Sequence, residues 1–305
     1  MKKVLLSIAV GLLVANVAVR YTIFTEREKV SSQELTVAFL DIGQGDAIFI
    51  EAPNGNQVIV DGGPNAKILP ELGALMPWYD KSIDMIIITN PDKDHIAGFV
   101  DVLKRYDVSY LVESGTENKS LVNNEVHELA DSEEVEKIIA RRGIEIVLDP
   151  SAGVVLTVLF PDRDVSKEKT NDGSIIMRLT YGETEVLLTG DAPSTVEKHL
   201  LSIQDSLQGT ASTTVSLSPN LNLESDILKV GHHGSKTSTA PEFVKAVAPQ
   251  FAVISSGKEN KYGHPTEEVL GILGSFPLEV LRTDQLGTIV MKSNGKKFWR
   301  EGREE

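Results

Sequence analysis

Thr89-Asn90-Pro91-Asp92-Lys93-Asp94-His95-Ile96-Ala97-Gly98 joins two segments of opposite periodicity. Before it, residues 83–88 form an Ile-rich apolar run, the pattern of a buried strand; after it, the apolar positions of residues 96–106 follow helical spacing up to Asp107. Strand feeds loop feeds helix. The loop places Asn90, Asp92, Asp94 and His95 within six positions, and alternate spacing at 90, 92 and 94 can aim several side chains at one point above the strand end. The same residues also suit a helix N-terminus, with Asp92 or Asp94 accepting backbone N–H bonds.

Three further clusters share this setting. Leu187-Leu188-Thr189-Gly190-Asp191 puts a carboxylate just after an apolar run, where capping of the helix opened by Ala192-Pro193 competes with a site role. Val230-Gly231-His232-His233-Gly234-Ser235 puts two imidazoles after another strand, between glycines that supply no packing. Lys261-Tyr262-Gly263-His264-Pro265 adds a fourth loop histidine, whereas His127 and His199 lie on charged helical stretches and read as solvated. Carboxylates and imidazoles at the mouths of several strands are what a divalent ion requires. The chain has no cysteine, so thiolate ligands, disulfides and cysteine nucleophiles are excluded.

The 305 residues are 41% hydrophobic, enough for a substantial core. A net charge of −14 argues against a surface built for wholesale binding of phosphate backbones, so any nucleic-acid contact must be local. Strands are expected at 35–40, 47–51 and 57–60, the last two joined through Asn54-Gly55, and later at 144–148, 154–160, 175–180, 185–188, 226–230, 251–255, 278–281 and 288–292. Helices are expected at 125–142, closed by Gly143, and at 194–202, 241–248 and 266–276, with residues 203–224 a polar loop or flap. Two comparable runs of strands interleaved with helices suggest two packed sheets with helices outside.

Lys2 and Lys3 precede an uncharged run from Val4 to Val19, and Arg20 is followed by Tyr21 to Phe24. Residues 1–24 read as a membrane anchor or signal segment, with a buried core helix as the plainer alternative, and residues 25–33 as a linker. By the positive-inside rule the lysines stay in the cytoplasm, which puts residues 34–300 outside it, anchored to the membrane or secreted if the segment is cleaved.

Together these motifs resemble the metallo-β-lactamase superfamily, and within it the extracytoplasmic domain of the ComEC family of competence DNA-uptake proteins. The carriers are residues 39–47, Phe-Leu-Asp-Ile-Gly-Gln-Gly-Asp-Ala; Val60-Asp61-Gly62-Gly63; residues 90–95; Asn171-Asp172-Gly173-Ser174; Thr189-Gly190-Asp191; His232-His233-Gly234-Ser235; Tyr262-Gly263-His264-Pro265; and Thr283-Asp284 with Gly287. The resemblance implies an αββα metallo-β-lactamase sandwich, here with an N-terminal hydrophobic helix, and a metal-dependent hydrolase of phosphodiesterase or nuclease type. It implies that Asp94, His95 and one of His232 and His233 hold one ion, that Asp191 bridges to a second, and that Asn90, Asp92 and Asn171 complete the second position. Asp94 and His264 are the implied catalytic residues, with Lys236 and Ser235 as further groups for the substrate's developing charge. One or two divalent ions, zinc or manganese, are the implied cofactor. Two departures stand out: Asn90 occupies the family's usual histidine position, and a single short hydrophobic segment replaces a multi-span channel. The implied partners are therefore nucleic acid or another phosphodiester, the membrane, and a separate channel; hydrolysis of another ester or lactone, or a degenerate non-catalytic role beside that channel, remains open.

Protease added to intact spheroplasts is expected to digest everything beyond residue 30. Protection of that segment would overturn the extracytoplasmic assignment.

Overall fold

The computed structural model describes residues 20–22, 33–209 and 221–302. Two eight-stranded sheets lie face to face. The first contains β2 (Leu35–Phe39), β3 (Ala47–Glu51), β4 (Gln57–Gly62), β5 (Ser82–Ile88), β6 (Asp107–Glu113) and β7 (Glu136–Ile139), with β15 (Ile289–Ser293) and β16 (Phe298–Arg300) returning to complete the order β16-β15-β2-β3-β4-β5-β6-β7. The second orders β1 (Arg20–Thr22), β8 (Glu145–Asp149), β9 (Val154–Phe160), β10 (Ile176–Tyr181), β11 (Thr184–Leu188), β12 (Ile227–Lys229), β13 (Phe251–Ile254) and β14 (Glu279–Arg282) as they occur in the chain.

Strand faces explain why the central strands carry apolar residues on both sides. Along β3, Ile48 and Ile50 enter the core between the sheets, while Ala47 and Phe49 face outward beneath helices. In β5, Met85 and Ile87 point inward and Ile86 and Ile88 outward. The outward side of the first sheet is covered by α1 (Ile68–Leu75), α2 (Lys93–Leu103) and α3 (Leu121–Ser132). α4 (Ser194–Gly209), α5 (Pro241–Val247) and α6 (Glu267–Leu273) cover the second, and α7 (Thr283–Leu286) is a single turn leading into β15. The result is the expected helix–sheet–sheet–helix sandwich.

β4 to β7 run parallel, as do β11 to β14, so their carboxyl ends open on one edge of the sandwich. That edge gathers the loops singled out above. A tight approach fixes it: a side chain at Gly98 in α2 would collide with the Gly62 carbonyl at the end of β4, so only glycine lets this helix sit against the strand.

Several expected elements change. The helix at 125–142 is instead α3 followed by β7; Glu134 adopts a φ of 56°, which ends helical continuation, and Glu136–Ile139 pairs parallel with β6. Alternation of charged and apolar residues along a sheet edge looks amphipathic at either period. β6, β16 and α1 have no counterpart in the sequence reading, and the expected loop at 203–224 begins as helix through Gly209, with 210–220 outside the described residues. Of the expected N-terminal segment, residues 1–19 and 23–24, and residues 25–32 of the expected linker, also lie outside them, while Arg20–Thr22 is a strand paired with β8. Among the described residues no helix is long and apolar enough to cross a membrane.

Two buried charged groups hold the edge together. Lys229, wholly buried at the end of β12, donates from Nζ to Asp46 Oδ2 at 2.8 Å and to the Val230 carbonyl at 2.9 Å, joining the second sheet to the loop before β3. Glu197 in the first turn of α4 accepts the Thr239 and Ala240 N–H groups at 2.7 and 2.8 Å, one per carboxylate oxygen, pinning the loop that runs from β12 to α5. Burial pushes the Glu197 carboxyl up to about 7 even though both N–H bonds favour its charge.

Lys229→Met should destabilise the chain by about 3–5 kcal/mol in urea unfolding, because it leaves Asp46 charged and buried, and Asp46→Leu in the same chain should recover most of the loss. A single-variant cost below about 1 kcal/mol would make the pair structurally idle. For Glu197 the raised pKa means that its contribution is fully present below about 4.5 and lost as pH rises through about 7. Wild-type stability relative to Glu197→Gln should thus fall between pH 5 and 8, by on the order of 3 kcal/mol; a difference independent of pH would contradict it.

Candidate metal centre

The loop after β5 turns at Asn90 and enters α2 with Asp92 as its N-terminal flanking residue, which places Asp94 and His95 in the first helical turn. His95 is fully buried. Its Nδ1–H donates to Asp61 Oδ2 at 2.8 Å, which leaves Nε2 to face Asp191 Oδ2 at 3.2 Å. Asp61, at the end of β4, also accepts the Thr89 N–H at 2.8 Å and the Thr89 hydroxyl at 2.6 Å, so it ties the strand end to the loop while orienting the ring.

The second sheet supplies the rest. Asp191 follows β11 and is buried. His232 and His233 sit in the turn Gly231–Gly234 with φ of 49° and 56°, a left-handed backbone that costs each of them roughly 1 kcal/mol or more. The turn directs His233 Nε2 to within 3.5 Å of Asp94 Oδ2 and 3.7 Å of Asp191 Oδ1, and His232 Nε2 to 3.6 Å from Asp191 Oδ2. On its far side His233 Nδ1 lies 3.1 Å from the Ser255 carbonyl, to which it donates, and 3.3 Å from Asp46 Oδ1.

The charges respond to this crowding. Burial opposes ionisation of Asp191, yet His95 and His233 hold its carboxyl well below the usual range. Asp46 is likewise lowered against burial, by Lys229 and His233. Burial also opposes protonation of both imidazoles; nearby Asp191 and Asp61 nevertheless raise His95 well above its ordinary value, and Asp191 and Asp46 bring His233 up to about 9. Burial lifts Asp61. Carboxylates packed this closely demand positive charge.

These residues fit a cation. His95 Nε2, His233 Nε2 and Asp191 Oδ1 are buried without a hydrogen-bond partner, His95 Nε2 lying 3.2 Å from Asp191 Oδ2 and His233 Nε2 3.7 Å from Asp191 Oδ1. One donor atom from each of Asp94, His95 and His233 lies within 4.8 Å of the others, and the same holds for Asp46, His95 and Asp191. Imidazole with carboxylate is a donor set suited to zinc or manganese, and each ring's other nitrogen is already held by an oxygen.

The remaining expected residues divide. Asn90, Asp92 and Asn171 are close by but engage one another: Asn90 Nδ2 donates to Asn171 Oδ1 at 2.7 Å, and the Asp92 N–H donates to Asn90 Oδ1 at 2.9 Å. His264 stands at the rim, its ring 5.7 Å from that of His232 and 5.9 Å from that of the exposed Tyr262, with Nδ1 buried and unpartnered. Burial and the neighbouring imidazoles lower its pKa. The Ser235 hydroxyl is turned toward Thr237, and Lys236 is exposed. His127 faces Glu113 at 3.4 Å and His199 faces Asp162 at 2.7 Å, both away from the centre. Sequence reasoning gave no role to Asp46, Asp61 or Lys229; the signal it had was an ammonium inside the apolar run of β12 and a carboxylate closing that of β4.

A family profile described as Metallo-beta-lactamase superfamily matches residues 40–258. ComE operon protein 3 of Bacillus subtilis (strain 168) is 33% identical over 275 residues, 85% of this chain and 33% of that protein. Competence protein ComA of Neisseria gonorrhoeae is 27% identical over 266 residues, 86% of this chain and 33% of that protein, so the chain spans about a third of the length of the curated relatives it matches. Among solved structures, CmlA, a diiron β-hydroxylase from Streptomyces venezuelae, shares the fold at a TM-score of 0.52 and 11% identity, over 89% of this chain and 55% of that one. The chain belongs to the metallo-β-lactamase superfamily and resembles the ComEC-family competence proteins within it.

Proposed function

We propose that this chain is a metal-dependent hydrolase of phosphodiesters, with a nucleic-acid strand as its substrate, acting outside the cytoplasm beside a separate membrane channel. The observation that carries the chemistry is the convergence of unpartnered buried atoms on His95, His233 and Asp191 beside the half-exposed carboxylate of Asp94. The competence names of the relatives and the resemblance to ComEC support the substrate class. The channel is carried over from the resemblance to the ComEC family and is part of the proposal.

A bound zinc or manganese ion would supply Lewis acidity, lowering the pKa of an attacking water and drawing charge from a phosphoryl oxygen. The protein's part is positioning. Asp61 and the Ser255 carbonyl fix the rings of His95 and His233, so their Nε2 atoms face the ion without reorganisation at the moment of reaction. Asp94, the most exposed of the set, marks the side from which substrate arrives. His264, its pKa lowered by burial and by its imidazole neighbours, stands at the rim, where its ring N–H could hydrogen-bond an oxygen gaining charge. Lys236, exposed three residues after His233, offers a positive charge near this turn.

A second reading, hydrolysis of a carboxylic ester or lactone by the same residues, rests on the generality of that arrangement. The purified protein, offered a single-stranded oligonucleotide, a chromogenic phosphodiester and a lactone with zinc or manganese, is expected to cleave the first two. Asp94→Ala and His233→Ala should abolish both metal binding and cleavage while keeping the wild-type circular dichroism spectrum, and His127→Ala should leave activity intact. Cleavage of the lactone alone would move the assignment to the second reading; undiminished cleavage by Asp94→Ala would sink the metal centre itself.

A further inference from the structure

The resemblance provides for two ions, and the residues it assigns to the second behave differently from those assigned to the first. An asparagine can ligate a hard or borderline ion only through its amide oxygen. Asn90 Oδ1 already accepts the Asp92 N–H at 2.9 Å, a turn that caps the entry to α2, and Asn90 Nδ2 donates to Asn171 Oδ1 at 2.7 Å, which engages the one ligating atom of Asn171 as well. Both oxygens of Asp92 are also engaged, Oδ2 by the Thr170 hydroxyl at 2.9 Å and Oδ1 by Asn118 Nδ2 at 3.4 Å, while Asn118 further donates to the Pro91 carbonyl at 2.9 Å.

The contrast with the neighbouring set is direct. His95 Nε2, His233 Nε2 and Asp191 Oδ1 are buried atoms lacking partners, whereas Asn90, fully buried, has both of its amide atoms satisfied. A second position would have to draw on the Asn90 and Asn171 amides, already bonded to each other, and on the Asp92 carboxylate, already held by Thr170, and an amide oxygen binds zinc more weakly than the imidazole expected there. We infer that the centre holds a single ion, and that Asn90, Asp92 and Asn171, with Thr170 and Asn118, form a closed polar brace that occupies the second position and fixes the loop from β5 to α2. With a single ion, His264 and Lys236 would be the groups left to hydrogen-bond the charge developing on the substrate.

This inference rests on the metal-hydrolase reading, and ion counting separates the two. The full chain, saturated with manganese and freed of excess by gel filtration, is expected to carry one ion per chain by plasma mass spectrometry and to give the low-temperature electron paramagnetic resonance signal of isolated manganese. Two ions with an exchange-coupled signal would overturn the single-ion centre and leave the hydrolase reading intact; no ion at all would remove the hydrolase reading and the inference with it. Asn90→Ala provides a second readout. A brace predicts a lower melting temperature with one ion still bound at little-changed calorimetric affinity, whereas a ligand predicts a loss of about 10-fold or more in affinity. Because the wild-type count needs no variant, failure of Asn90→Ala to fold does not spare the inference from test.

Discussion

A lysine with no access to water governs the geometry of this edge. Lys229 lies at the end of an inner strand, and removing its charge from solvent is tolerable only because Asp46 and a backbone carbonyl meet it there. Asp46 comes from the first sheet and Lys229 from the second, so their contact sets how the two layers meet at the one rim where backbone loops converge. Asp46 also faces His233, and through it the position of that ring follows from the ion pair. Polar residues elsewhere on this edge inherit the frame.

Much of the fold was legible because its central strands are apolar on both faces and interrupted by short polar loops. The stretch around Asn90 to His95 declared a strand, a loop and a helix through periodicity alone, and the histidines between glycines at 231–234 had no packing role to compete with a site role. What escaped had a common cause. β7 carries Glu136 and Lys137 on an exposed edge and follows a helix with similar charge, so neither period nor composition separates them. β6 begins at the residue where the preceding helical pattern stops, with no turn signal between.

At the site, residue types showed which side chains suit a cation but could not show which of them already serve each other. Asp92 and Asp94 are equivalent in sequence, two positions apart on one loop. One is clasped by Thr170 and Asn118, and the other stands 3.5 Å from His233 Nε2. The partners that distinguish them lie 26 and 78 residues away for Asp92 and across the sandwich for Asp94. Long-range contacts of that kind leave no local trace. Asp61 and Asp46 stayed without a role for the same reason, their function being to hold rings contributed by other elements.

The donors that face one another at the rim come from both layers: Asp94 and His95 from the helix after β5, Asp191 and His233 from the ends of β11 and β12. Between the layers the core is largely apolar. An ion grasped from both sides would turn that seam into a clasp, and mass action would then make free ion concentration a variable of folding. At a hundredfold excess over its dissociation constant the clasp would add about 2.7 kcal/mol to the native state. A chelator would then act on the seam as a denaturant does, and the layers would be held together most firmly wherever the ion is plentiful.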